Sequence, residues 1–282
     1  MSSGTVPRSA SARVVAWPSV LAHHVTPRLA IGILSVTTGL LVWQWLTSAG
    51  HVSELLFSSP SAVVTESVHQ FSSSLFWTSA SNSAIEFLGG FVAAVVLGIP
   101  LGLLIGWFRD IGYFVDPWLS FFYAVPRIAM TPLLIIMFGI SQTTIIAVIF
   151  LGAIFEITFN TAQGARLVDR KLVDVAQMFG ASRQKIFVGI VVPSSVPFIL
   201  VGCRLGVVRA IIGVVIGEMF AGGFADGAGL GQMLRLASNS LQTSRVLLIT
   251  MCFALMAVIV TEGLRYVERR LGVWRNDIGG AQ

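Results

Sequence analysis

Charge is what this chain of 282 residues is short of: Asp, Glu, Lys and Arg make up 11% of it, against roughly 25% in a soluble domain. With 55% hydrophobic residues and a mean hydropathy of +0.85, the chain cannot cover itself with a polar surface, so its solvent is largely lipid. Cysteine is nearly absent. Cys203 and Cys252 both lie inside apolar runs, which excludes a disulfide framework and leaves two small packing residues. Histidine is as scarce: His23, His24, His51 and His69 form no HExxH pair and have no carboxylate or cysteine at ligand spacing, so no metal is expected. No nucleophile elbow or phosphate loop is present. The glycine-rich stretch at 222–231 lacks the Lys-Ser/Thr of a Walker A loop. The sequence therefore carries no catalytic set, and no small-residue cleavage site marks a signal peptide.

What it has instead is apolar length. Runs near 29–47, 84–107, 115–138, 143–165, 197–220 and 246–264 approach or exceed the roughly 20 residues that an α-helix needs to span a bilayer. They predict an all-α membrane protein with about six transmembrane helices. Pro126 and Pro132 interrupt the third run and predict a kinked or broken helix there. Residues 1–28, rich in Ser, Ala and Pro, read as a disordered cytoplasmic tail, 29–275 as the membrane domain, and 276–282 as a second short tail. Between 48 and 83, where Lys and Arg are missing, LeuLeuPhe at 55–57 and PheTrp at 76–77 suggest a short helix lying in the outer interface.

The basic residues test the helix count. Segment 166–185 holds Arg166, Arg170, Lys171, Arg183 and Lys185; the C-terminal end holds Arg265, Arg269, Arg270 and Arg275. Six crossings that begin and end in the cytoplasm place these clusters and Arg109 inside, and leave only Arg235 and Arg245 outside. The net charge of +5 is thus topological anchoring rather than a nucleic-acid footprint.

Inside the runs, small and polar residues stand out. Gly98, Gly102 and Gly106 share one face of the second helix, and Gly202 and Gly206, followed by Gly213 and Gly217, recur along the fifth; such spacing lets backbones approach closely. Glu156, Asn160 and Gln163 form a polar stripe on the fourth helix. Arg209 sits in the fifth, Arg127 at the break in the third, and Arg204 nearer the cytoplasmic side of the fifth. A charge at membrane depth costs about 2.5–3.5 kcal/mol on insertion scales, so such groups face a partner or water. Two readings stand together: an internal ion pair of Glu156 with Arg127 or Arg209, and a polar lining of a translocation pathway for a hydrophilic solute, anions included. Arg204 can snorkel to the interface.

Segment 169–193 is amphipathic and cytoplasmic in this topology. Leu172, Val175, Ala176 and Phe179 share a helical face, Gly180 breaks the helix, Ser182 can cap a second one, and Ile186, Phe187 and Ile190 give that piece its own apolar face. Two short helices joined at a glycine make an elbow suited to a groove in a soluble partner.

This segment resembles the EAA loop of ABC importer permeases. Asp174, Val175 and Ala176 stand for Glu-Ala-Ala, Gly180 has the required spacing, and Val192–Pro193 replaces Leu-Pro. SerProSerAlaVal at 59–63, ProArgIleAlaMetThrProLeu at 126–133, PheGlyIle at 138–140 and ValGlyCysArg at 201–204 are similar to the nitrate/taurine/aliphatic-sulfonate branch. So are GlyGlu at 217–218 with GlyLeuGly at 229–231, and GluArgArg…TrpArg at 268–275. The resemblance implies a type I (MetI-like) permease: a non-catalytic membrane subunit that works with two ABC ATPase subunits, an extracytoplasmic solute-binding protein and a second permease copy. It implies a bacterial plasma membrane protein with both termini cytoplasmic. No cofactor is expected in this chain, ATP and Mg being held by the ATPases. Asp174, Val175, Ala176, Phe179, Gly180, Phe187 and Pro193 would couple the ATPases to the helices. The competing class is an ion-gradient-driven secondary transporter, which commonly shows two membrane repeats; no such repeat is legible.

Overall fold

The computed structural model describes residues 20–49, 53, 57–222 and 228–271, with side chains from residue 30 onward except at positions 127, 270 and 271. Among them are eleven α-helices and no strand: α1 Val20–Ser48, α2 Pro60–Phe71, α3 Ser74–Trp107, α4 Arg109–Ala124, α5 Thr131–Phe138, α6 Gln142–Arg166, α7 Arg170–Met178, α8 Arg183–Ile186, α9 Val192–Ala221, α10 Leu230–Asn239 and α11 Thr243–Leu271. Five stretches are long and apolar enough to cross a membrane: Ala30–Ser48, Ser74–Trp107, Gln142–Arg166, Arg183–Ala221 and Thr243–Arg269. A sixth comes from α4 and α5 together, bent by 86°. The bend has a sequence cause. Val125 precedes a proline and is pushed out of the helical region (φ −68°, ψ 129°), as the steric rule for that position demands; a single 3-10 turn, Arg127–Met130, then leads into α5. The structure thus has five spans, or six when the bent pair counts as one, against the about six expected.

Several boundaries move. Residues 20–28, expected in a disordered tail, are the first turns of α1; only Pro27 in that stretch opposes a helix. Helix α1 falls in a unit separate from the one that begins at Glu54. In α3 the helix starts ten residues before its apolar run, because Phe76 buries itself in the core and packs edge-on to Phe71 and Trp77. The α4 helix starts at Arg109, so Arg109, Asp110 and Asp116 are helical. Residues 1–19 and 272–282, which include the expected C-terminal tail, lie outside the described residues.

The second unit is built around α6. Its Ile145, Ile149, Ala153 and Ile157 are buried between Phe87, Phe91 and Ala94 of α3 and Val207, Ala210, Ile211 and Val214 of α9. Lipid tails are as apolar as these side chains, so helix association here depends on packing contact rather than on escape from water. Glycine permits that contact. A Cβ on Gly102 would lie 2.6 Å from the Thr158 carbonyl oxygen, and one on Gly106 2.5 Å from that of Ala162. On the other side of α6, a Cβ on Gly202 would meet the Glu156 carbonyl at 3.2 Å, and one on Gly213 the Ile149 Cα at 2.9 Å. Gly98 and Gly206 would both meet the Ile157 side chain rather than backbone, at 3.1 Å.

Helix α2 is fastened to α11 at its outer edge. Ser59 caps α2 by accepting the Ala62 N–H at 3.2 Å. Glu66 then accepts hydrogen bonds from Arg245 Nε at 2.9 Å and Gln70 Nε2 at 2.7 Å. Burial alone pushes the Glu66 carboxyl up, but the bonds from Arg245 and Gln70 and the charges of Arg245 and His69 outweigh it and hold the group below its ordinary value.

Two outcomes follow from this packing. Gly102→Val forces α3 away from the Thr158 backbone and costs about 1–3 kcal/mol or more, read as a lower melting temperature in detergent; Gly263→Ala, inside α11 with nothing within 4 Å, does not lower it. Glu66→Gln lowers the melting temperature at neutral pH, by the equivalent of roughly 1 kcal/mol for a part-exposed pair. A depressed carboxyl contributes its stability above the unfolded-state pKa and loses it as pH falls through the folded one, so the gap between wild type and variant closes on acidification.

Candidate functional site

Polar side chains at depth gather where α4, α6 and α9 meet. Glu156, 4% exposed, accepts a hydrogen bond from Arg209 Nε at 3.0 Å and a longer one from the Tyr123 hydroxyl at 3.4 Å. The contact is possible because α6 and α9 almost touch: a Cβ on Gly152 would lie 3.0 Å from the Arg209 carbonyl. Beside the pair opens a cavity of about 330 Å³, walled by Tyr123, Val125, Pro126, Ile128, Ile212 and Ile216, with Arg209 as its charge. Half of the Arg209 side chain, 51%, is exposed, against 5% for Glu156, so the guanidinium faces the opening while the carboxylate is hidden behind it. Other members of the expected stripe are placed differently. Asn160 turns its amide to the Glu156 carbonyl at 2.8 Å, and Gln163 is half-buried a turn further on. Arg127 opens the 3-10 turn, but its side chain lies outside the described residues. Arg204 binds Glu268 of α11 at 2.5 Å.

At the basic end of the bundle stands the elbow. Asp169 caps α7, accepting the Lys171 N–H at 2.9 Å; Asp174 lies exposed further along the helix. The helix stops in a Schellman motif, with Ala181 N–H on the Ala176 carbonyl at 3.0 Å and Gly180 N–H on that of Gln177 at 2.9 Å. The motif places Gly180 in the left-handed region (φ +75°), where a Cβ is unfavourable. None of the nine residues of α7 is buried. Leu172 and Val175 are half-exposed, Met178 is 84% and Phe179 87% exposed.

The second half of the elbow is not the separate short helix expected from the sequence. Ser182 caps it through the Lys185 N–H at 3.3 Å, but α8 runs through a π turn, Phe187–Val191, straight into α9. Pro193 explains the widened turn: it has no N–H for the Gly189 carbonyl, and its ring needs room there. Ile186 and Val191 are buried, Phe187 packs near Trp107 of α3, and Leu103 and Ala165 complete this small core. Gly180 therefore joins an exposed helix to a lever anchored in the bundle. Beneath α7 lies a cavity of about 740 Å³ lined by charges of both signs, among them Arg109, Asp110, Arg170, Asp174 and Arg183. At its edge one terminal nitrogen of Arg166 holds both oxygens of Asp116, at 2.7 and 2.9 Å.

Two acidic residues escape a reading based on apolar runs. Glu86 of α3 and Glu218 of α9 are 2% and 0% exposed. They mark the far end of the bundle, where α10 begins. Glu218 accepts the Gly231 N–H at 2.5 Å, Ser83 accepts the Leu230 N–H at 2.8 Å, and Asn82 reaches the Ala228 carbonyl at 3.4 Å. A Cβ on Gly229 would sit 2.2 Å from the Glu218 carboxyl carbon. The GlyGlu and GlyLeuGly pieces seen separately in the sequence are thus two sides of one contact. An acid within each of two apolar runs was the available signal.

Comparison with known proteins agrees with this architecture. Residues 94–273 match the family described as binding-protein-dependent transport system inner membrane component. A probable ABC transporter permease of Brucella abortus (strain 2308) is 32% identical over 247 residues, covering 88% of this chain and 96% of the relative. The taurine transport system permease of Escherichia coli K12 is 30% identical, covering 93% of this chain and 94% of its own. A putative aliphatic sulfonates transport permease of Bacillus subtilis (strain 168) is also 30% identical, with 88% and 89% covered. In three dimensions the chain resembles one from the inward-facing MetNI methionine ABC transporter, with a TM-score of 0.58 and 16% identity over 70% of this chain and 96% of that one; this likeness concerns the fold. On sequence and fold together, the chain belongs to the family of binding-protein-dependent transport system inner membrane components, the multi-pass permeases of ABC importers.

Proposed function

We propose that the chain forms the solute pathway of an ATP-driven importer, coupled to its ATPases through the elbow. The observation that carries this reading is the exposure of Met178 and Phe179, 84% and 87%, on a helix that ends at Gly180 just before a membrane-spanning lever. Two large apolar side chains held in water at a basic, cytoplasmic end suit the groove of a soluble partner. In this reading two permease copies stand on two ATPase subunits, which hold ATP and Mg, and the chain itself hydrolyses nothing. Both termini are cytoplasmic. Nucleotide closes the ATPase pair, α7 follows, and the motion passes through Gly180 to α8 and α9. A ligand shifts such an equilibrium only through its differential free energy for the two arrangements, which ATP supplies on the partner and the elbow transmits.

An external binding protein delivers the solute at the far end. The half-exposed guanidinium of Arg209, with apolar walls around it, suits a small polar solute, anions included. Taurine and aliphatic sulfonates, which the relatives' names carry, are the first classes to try, with nitrate and pyrimidine-type vitamin precursors next.

Reconstitution of the chain with its ATPase and binding protein in proteoliposomes tests the coupling. Phe179→Ser, altering a side chain that meets only solvent in the free chain, weakens ATPase binding roughly 10- to 100-fold, as expected for loss of about 1.5–3 kcal/mol of burial. Gly180→Val, strained by about 1–2 kcal/mol in the left-handed region, leaves the chain folded and the ATPase bound but uncouples hydrolysis from uptake. Full affinity and normal uptake in both variants would sink the elbow's role, and uptake without ATP would favour an ion gradient as the driving force.

The pathway has its own test. Arg209→Ala lowers uptake per folded complex at least tenfold, and stability falls by about 1–3 kcal/mol because the hidden Glu156 carboxylate loses its charged partner. If stability alone changes, Arg209 and Glu156 are a structural pair and the pathway runs elsewhere.

A further inference from the structure

The Glu86–Glu218 cluster has no part in the transport cycle described above, yet its hydrogen-bond arithmetic does not close. Ser83, one turn before Glu86 on α3, and Glu218 of α9 accept the neighbouring N–H groups of Leu230 and Gly231, which brings the two buried carboxyl groups to one place, within hydrogen-bond reach of each other. Glu218 is well served: the Gly231 N–H donates to Oε2, and the Ser83 hydroxyl is within bonding reach. Ser83 is free to donate because its oxygen already accepts the Leu230 N–H. Glu86 has no such donors. Its Oε2 is buried without a partner, as are Glu218 Oε1, Ser79 Oγ and Gln232 Oε1, on residues that are at most 3% exposed. Ionised carboxylates only accept hydrogen bonds, so two of them in contact and out of water are acceptor against acceptor, and like charges so placed do not both ionise.

No cation relieves them. Among the described residues, no Lys, Arg or His acts on either carboxyl. On α10 the nearest charge is Arg235; on α11, Arg245 is bound to Glu66 of α2, whose other titratable group is His69. Helix α6 carries no charge before Glu156, which holds Arg209. Asp226 lies outside the described residues.

We infer that Glu86 and Glu218 hold one proton between them, so that the far end of the bundle contains a proton-binding site that fastens the start of α10 to α3 and α9. Glu218, with two donors of its own, is the ionised partner, and Glu86 carries the proton and donates it. The resulting O–H···O⁻ bond belongs to the strong, charge-assisted kind. It leaves one negative charge, facing the first N–H groups of α10, where a helix favours an anion. Removing the proton sets two charges against each other across the α3–α9 contact and loosens the seat of Gly229 and Gly231.

Infrared spectroscopy of the full chain in lipid nanodiscs tests the site directly. At neutral pH the wild type shows a protonated-carboxyl C=O band worth one group per chain, which shifts in D2O and disappears in Glu86→Gln. That variant folds and melts like the wild type, because its amide N–H donates to Glu218 in place of the acid. From neutral to alkaline pH the wild-type melting temperature falls, while that of Glu86→Gln stays level. Absence of the band in the wild type overturns the assignment. So does a band undiminished in Glu86→Gln, or stabilisation by Na⁺ or Ca²⁺ without any such band, which would make the cluster a cation site. Should Glu86→Gln fail to fold, the wild-type band and its loss at alkaline pH decide the matter alone.

Discussion

The approach of α3 and α9 to the backbone of α6 governs the rest of the structure. Lipid offers little hydrophobic gain for bringing helices together, so attraction must come from dispersion over well-matched surfaces. Gly102 and Gly106 on one side and Gly202 and Gly213 on the other let α6 be flanked at near backbone contact. The polar geometry depends on this. Arg209 reaches Glu156 because Gly152 allows its backbone close. Likewise, Glu86 and Glu218 meet because α3 and α9 are held against the same central helix. A bundle spaced by leucines would hold the same charges too far apart to pair.

The same constraint makes the elbow useful. A lever transmits motion only if one end is fixed and the other is free. The α8–π–α9 segment is fixed: Ile186 and Val191 are buried, and Phe187 stands against Trp107. Helix α7 buries nothing and overlies a cavity lined with charges of both signs. Gly180 lies between the two, with open space around it, so its requirement for glycine is purely one of backbone angle. Flexible and rigid parts are thus separated within about twenty residues, and the π turn before Pro193 lies on the rigid side, where a widened helix turn is tolerated.

The spans were legible because lipid imposes length and apolarity on each of them. The break at Pro126 and the stop at Gly180 were legible because proline and glycine act locally. What escaped detection depends on tertiary partners. Ser74–Ser83 is polar, yet helical because Phe76 finds the core. Asp169 takes the cap because it precedes the first turn of α7, a position that the EAA pattern, centred on Asp174, does not emphasise. The second half of the elbow merges with α9 because Pro193 is accommodated by a π turn. Glu86 and Glu218 stand 132 positions apart in the sequence, and no periodicity relates residues so distant.

Three pairs of charged or acidic groups divide the bundle by depth, and their exposure sorts them by what they can do. Arg204–Glu268 lies toward the elbow with both side chains part-exposed, 35% and 43%; water can replace either partner, so the pair yields readily as helices shift. Arg209–Glu156 is asymmetric, with one partner open and one hidden, which suits a group that exchanges a protein carboxylate for a passing anion. Glu86–Glu218 is closed on both sides, and the cost of opening a buried polar contact to nothing is highest there. Among these three pairs, resistance to rearrangement thus rises from the elbow end to the far end. In the proposed cycle, a motion that starts at α7 would meet the weakest of them first.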